Sequence, residues 1–154
     1  MSDGGGRATP SVRLRSITGD DVAQCLSLLA QLGYQMTLEE AMRRVGEVLA
    51  TPDHSALVAE TAGRIVGLLH VFARPAIENP REAVVQAIVV DETFRRAGIG
   101  RTLMAEAERW GRERDCRSVV LSSNVTRAPA HAFYAALGYR IAAISYVLRK
   151  DLSL

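Results

Sequence analysis

Val85-Gln86-Ala87-Ile88-Val89-Val90-Asp91-Glu92-Thr93-Phe94-Arg95-Arg96-Ala97-Gly98-Ile99-Gly100 is the stretch whose reading decides the fold. An apolar, β-branched run ends at Val90, and a short polar connector follows. Arg95-Arg96-Ala97-Gly98-Ile99-Gly100 then leads into a segment with helical periodicity, from Ile99 to about Arg114. Strand, glycine-containing loop, helix start: this order builds an anion site. The first N–H groups of a helix have no intrahelical partner, and the helix dipole is positive there. Glycines let a phosphate approach the backbone, and arginines supply charge around it. The stretch therefore predicts a phosphorylated ligand held beside a strand end.

Outward from this stretch, hydrophobic periodicity predicts the other elements. Val12 to Ser16 reads as a strand. A helix capped by Asp20 or Asp21 carries the stripe Val22, Cys25, Leu26, Leu29, Leu32 and stops at Gly33. Thr37-Leu38-Glu39-Glu40 is a capping-box pattern that opens a second helix to about Ala50. Ser55 to Thr61 and Arg64 to Ala73 read as a hairpin turning at Ala62-Gly63. Arg74 to Arg81, with Pro75 and Pro80, reads as a loop before the strand Ala83 to Val90. Ser118 to Ser122 is a further strand. Pro129 starts a helix that ends at Gly138, and Ser145 to Lys150 is the expected last strand. The order β-α-α-β-β-β-α-β-α-β predicts an α+β fold with a mixed, mostly antiparallel sheet flanked by helices.

Composition narrows the function. A chain of 154 residues predicts a single domain over 11–154, after a Gly-rich, disordered tail at 1–10. The net charge of +2 gives no argument for nucleic acid, and no apolar run is long enough for a membrane span. Cys25 and Cys116 have no metal-ligand spacing and no secretory signal accompanies them. Reduced thiols in a cytoplasmic protein are the expectation, with no metal. Trp110 reads as core or as a subunit contact, so a homodimer stays open.

Alone, the Arg-x-x-Gly-x-Gly pattern is ordinary turn chemistry as readily as a phosphate site. No Gly-Lys-Ser/Thr makes it a P-loop, and it follows a meander, which argues against a dinucleotide fingerprint. A second constellation settles the reading: Asn124 after a strand, then His131-Ala132-Phe133-Tyr134-Ala135-Ala136-Leu137-Gly138-Tyr139. Together the two segments resemble the GNAT superfamily of N-acetyltransferases. Arg95 to Gly100 resembles its coenzyme-A pyrophosphate loop, Arg/Gln-x-x-Gly-x-Gly/Ala. Val90 to Phe94 resembles the lead-in, and Asn124 with Phe133 to Tyr139 the second half of the signature.

The resemblance implies the GNAT fold, with the sheet splayed between its two central strands, Ala83–Val90 and Ser118–Ser122. It implies acetyl-CoA in that gap as co-substrate. The backbone of Ile88, Val89 and Val90 would hold the pantetheine and acetyl carbonyl. Arg95, Arg96, Ala97, Gly98, Ile99, Gly100 and Arg101 would hold the pyrophosphate, and Asn124 the pantetheine arm or Tyr134. Tyr134 would be the general acid for the departing thiolate, since a phenol is a neutral donor at pH 7.

The general base is the open position. Many relatives have Glu where this chain has Gln86, which cannot take a proton. Glu82 and Glu78 are the first substitutes, with His70, His131, a bound water or an already neutral amine behind them. Gln86 and Tyr34 are assigned to the substrate, and Met36 falls in the same region. The expected reaction is direct transfer of the acetyl group to a small-molecule primary amine in a ternary complex. The alternatives are a protein N-terminus or lysine as acceptor, a CoA-binding sensor with little catalysis, and a nucleotide-binding protein.

Overall fold

A computed structural model describes residues 11–153, so the tail expected at 1–10 lies outside the described residues. The chain divides into two compact units, Met1–Ser122 and Ser123–Leu154, which are taken in turn.

The first unit is a five-stranded sheet in the order β1-β2-β3-β4-β5. Its strands are β1 (Arg13–Ser16), β2 (His54–Thr61), β3 (Arg64–Arg74), β4 (Glu82–Val90) and β5 (Ser118–Val120). β1 to β4 pair antiparallel, and β5 joins β4 in parallel. The β2–β3 turn has positive φ at both Ala62 (49°) and Gly63 (77°). That backbone matches the strand twist of a tight hairpin.

Helices cover both faces. α1 (Val22–Gln31) and α2 (Leu38–Ala50) precede β2, and α3 (Ile99–Glu113) follows β4. The α1 and α2 side packs Val22, Cys25, Leu28 and Ala41 against Ala56, Val58, Leu68 and Val89. α3 lies on the other face, where a Cβ on Gly67 would come within 3.2 Å of Leu103 and 3.1 Å of Ala59. Gly67 thus sets how closely α3 approaches β3. Trp110 is core, 4% exposed, with the Arg114 guanidinium 4.0 Å from its ring centroid. No helix among the described residues is long and apolar enough to cross a membrane.

The Thr37 capping box forms as its spacing predicts. The Glu40 N–H donates to Thr37 Oγ1, and the Thr37 N–H to Glu40 Oε2, both at 3.1 Å. The start of α1 differs from expectation. Asp21 makes no side-chain cap for α1. Its carboxylate instead accepts from the Thr18 N–H and from Arg15 Nη1 and Nη2, at 2.7, 2.7 and 2.8 Å. The Arg15 bonds, then the Thr18 bonds, hold Asp21 down from 3.8 to about 2. A depressed carboxylate contributes stability above its unfolded pKa and loses it as pH falls through the folded one. Arg15 remains 26% exposed, which screens the pair. Asp21→Asn is expected to cost about 1–2 kcal/mol at pH 7 in urea unfolding. The gap to wild type should close between pH 4 and 2.

In the second unit the described residues carry one element, α4 (Ala128–Ala136), with Pro129 in its first turn and Gly138 (φ 92°) just past its end. The strand expected at 145–150 does not form. Tyr146, Val147 and Leu148 are exposed and carry no strand assignment. β-propensity biases φ and ψ, but a strand exists only through a partner's backbone, and this unit has no other strand among its described residues.

Candidate acetyl-CoA site

β4 is irregular where the sequence places the acetyl-binding edge. Ala87 pairs with His70 and Val85 with Val71, so Gln86 is an extra, bulged residue. A bulge bends its strand and interrupts the ladder, and bulges recur beside active sites. On the other side of β4, the parallel ladder joins Glu82–Val84 to Ser118–Val120. Ile88, Val89 and Val90 lie beyond that ladder. The two strands are therefore bonded at one end only. Val89 turns its side chain into the α1–α2 core, so alternation sends Ile88 and Val90 to the opposite face. Gln86 is exposed at the bulge.

The strand then enters the loop through Asp91, 6% exposed. Its N–H donates to Val66 O at 2.8 Å, and its Oδ1 accepts from the Thr93 N–H and hydroxyl at 2.9 and 2.7 Å. Those bonds hold its carboxyl below the ordinary range. Arg64 lies 3.5 Å from Asp91 Oδ2 and 5.2 Å from the Phe94 ring centroid. Asp91 and Arg64 thus clamp the lead-in to the β3 hairpin. The sequence reading gave them no role, although Asp-x-Thr is a recognisable side-chain-to-backbone turn.

Beyond the clamp, Arg96 has φ 67° and Gly98 φ 83°. A left-handed arginine is uncommon. Gly98 is the N-cap of α3, and no side chain caps it. The first intrahelical bond runs from the Thr102 N–H to Gly98 O at 3.1 Å. The N–H groups of Ile99, Gly100 and Arg101 therefore point out of the helix end. The first turn holds no acidic residue, while Arg95, Arg96 and Arg101 are exposed around it. Cations at a positive helix end are unfavourable until an anion joins them. These residues fit a pyrophosphate.

The second unit carries Asn124 and Tyr134. Asn124 Oδ1 accepts from the Thr126 N–H and hydroxyl at 3.0 and 2.8 Å, which closes a turn and leaves the amide N–H₂ as its donor. His131 Nε2 lies 2.9 Å from Asn124 O; a carbonyl only accepts, so Nε2 carries the proton. Tyr134 is half-buried, with edge contacts to Phe133 and Tyr139 at 5.1 and 6.0 Å between centroids. Burial raises its pKa, which keeps the phenol protonated.

The base candidates are scattered. Glu82 is ion-paired with Arg74 at 2.9 Å, and Glu78 is exposed in the loop before β4. His70 shares a 3.0 Å ring-to-ring hydrogen bond with His54, which stacks on Phe72. Burial, then the His54 charge, lowers His70 from 6.5 to about 4. It is neutral at pH 7 and a weak base. The folded state resists charging it, so its contribution to stability is complete above pH 6.5 and is lost as pH falls through 4. Urea unfolding of His70→Gln should show a weaker decline than wild type across that window.

Of the residues near the expected acceptor end, Tyr34 is 60% exposed. Met36 lines a cavity of about 160 Å³ between α1, α2 and the sheet, and His70 and Ala87 line it too. Cys25 is buried, its thiol pushed up to about 11, mainly by burial.

The model of the acetyltransferase (GNAT) family matches residues 23–139. The mixed five-stranded sheet with its flanking helices is consistent with the GNAT fold. The chain belongs to the acetyltransferase (GNAT) family, and acetyl-CoA is its co-substrate. It is 29% identical over 139 residues to glucosamine 6-phosphate N-acetyltransferase of Trypanosoma brucei brucei, covering 84% of this chain and 89% of that protein. It is 26% identical over 125 residues to an aminoglycoside N(6')-acetyltransferase of Serratia marcescens, covering 78% and 86%. Its fold is similar to that of an aminoglycoside N-acetyltransferase solved with CoA, with a TM-score of 0.84, 18% identity and coverage of 96% and 99%.

Proposed function

We propose that this chain transfers the acetyl group of acetyl-CoA to the primary amine of a small molecule, by direct attack. The observation that carries the reading is the β4–β5 ladder, which ends at Val84 and Val120 and leaves Ile88 to Val90 beyond it, just before the arginine-rich helix end. Acetyl-CoA supplies the activated acyl group as a thioester. The backbone of Ile88, Val89 and Val90 orients the acetyl arm, and donors aimed at its carbonyl stabilise the charge that develops there. Arg95 to Arg101 hold the pyrophosphate through backbone N–H groups and guanidinium charge. Asn124 donates its amide to the pantetheine arm. Tyr134 gives its proton to the departing thiolate.

Glu82 is ion-paired with Arg74, and Glu78 is exposed to solvent in the loop before β4. In this reading the attacking amine enters neutral or loses its proton to water, while Gln86 accepts a hydrogen bond from it. Cys25 does not suit an acyl-enzyme, since burial holds its thiol protonated. The named activities of the relatives, on glucosamine 6-phosphate and aminoglycosides, favour a small-molecule acceptor over a protein N-terminus or lysine.

Initial velocities with acetyl-CoA and an amine varied together should give intersecting lines, with no acetylated protein in the intact mass. Parallel lines with an acetylated protein would overturn direct transfer. No amine-dependent CoA release with any amine would favour the sensor reading.

A further inference from the structure

We propose that the cavity between α1, α2 and the sheet is the acceptor pocket, and that it takes a primary amine carried on a benzene-sized apolar body. An aralkyl or branched-alkyl amine is the class. The inference rests on the acetyltransferase reading and specifies its substrate.

Position is the first argument. Ala87 and His70 are cross-strand partners, and both line the cavity. Ala87 stands between the bulged Gln86 and Ile88 on β4. A body seated in the cavity therefore has its amine within a residue or two of the strand edge assigned to the acetyl group.

Size and chemistry are the second. The volume is about 160 Å³; an apolar protein cavity of about 150 Å³ accommodates benzene. Leu29, Met36, Val45, Val48 and Leu68 are among its apolar lining residues. A sugar ring placed there would bury hydroxyls against methyl groups, and each one left unpaired is penalised by its lost hydration. The polar side chains among the lining residues are His70, Arg44 and the Cys25 thiol, and none is a carboxylate. Arg44 is exposed and donates to Met36 Sδ at 3.6 Å, so its charge disfavours a polycation. The cavity thus selects against both kinds of acceptor for which the relatives are named, amino sugar phosphates and aminoglycosides. His70 is held neutral, and with its Nε2 bonded to His54 it has Nδ1 to offer the amine.

Steady-state kinetics with benzylamine, isoamylamine, glucosamine 6-phosphate and spermidine test the proposal. Benzylamine or isoamylamine should exceed both polar amines in kcat/KM by about tenfold or more. Ala56→Leu and, as a second filling variant, Val48→Phe should raise the benzylamine KM by about tenfold. Preference for glucosamine 6-phosphate or spermidine, or an unchanged benzylamine KM in a folded filling variant, would overturn it. Methyl NMR of the CoA-loaded protein separates this outcome from failure of the acetyltransferase reading. If no amine releases CoA, that reading fails. Benzylamine-induced shifts at Leu29, Val45 and Leu68 would still support the apolar pocket, and their absence would overturn it.

Discussion

Tyr134→Phe should lower kcat by about 10²–10³ while leaving the KM for acetyl-CoA and the fold nearly unchanged. The thiolate leaving group needs a proton, and the half-buried phenol is held protonated by its surroundings. Phenylalanine keeps the ring and its edge contacts to Phe133 and Tyr139. The stability change should therefore stay within about 1 kcal/mol. The kcat loss should be smallest with poor amines, for which attack on the carbonyl limits the rate. A kcat within threefold of wild type for every amine, by thiol release, would remove Tyr134 from proton transfer.

The second large effect is expected at Gly98. Its φ of 83° is left-handed, and a Cβ there would meet nothing within 4 Å. A substitution therefore acts through backbone conformation and not through a clash. Valine disfavours that region by about 1–2 kcal/mol, and as a β-branched residue it is a true outlier there. Gly98→Val should make the loop relax to another conformation and turn the N–H groups of Ile99, Gly100 and Arg101 away from the phosphates. The CoA Kd should rise about tenfold to a hundredfold by titration calorimetry, while the α3 core around Leu103 and Met104 persists. An unchanged Kd would mean that the helix start does not bind the pyrophosphate.

How legible the molecule was in its sequence follows from how local each signal is. The capping box at Thr37, the turn at Ala62-Gly63 and the strand-loop-helix from Val85 onward are contiguous patterns with near-neighbour causes. They appear as expected, within a residue or two. The bulge was hidden, because Gln86 is bulged only in relation to His70 and Val71, sixteen and fifteen residues away along the chain. The Arg64–Asp91 clamp and the His54–His70 pair are also long-range. Ser145 to Lys150 shows the reverse error: its β-branched and aromatic residues suggest a strand, but pairing decides one. The Glu82–Arg74 ion pair is long-range in the same sense, since it depends on the cross-strand register of β3 and β4.

The central claim is that backbone N–H groups at the bulged strand and the helix start hold CoA. Residue-resolved amide exchange with and without CoA reads those groups directly. CoA should slow exchange at Ile88 to Val90 and at Arg96 to Arg101, while ATP at the same concentration gives far less protection. Protection confined to other parts of the chain, or equal protection by ATP, would contradict it.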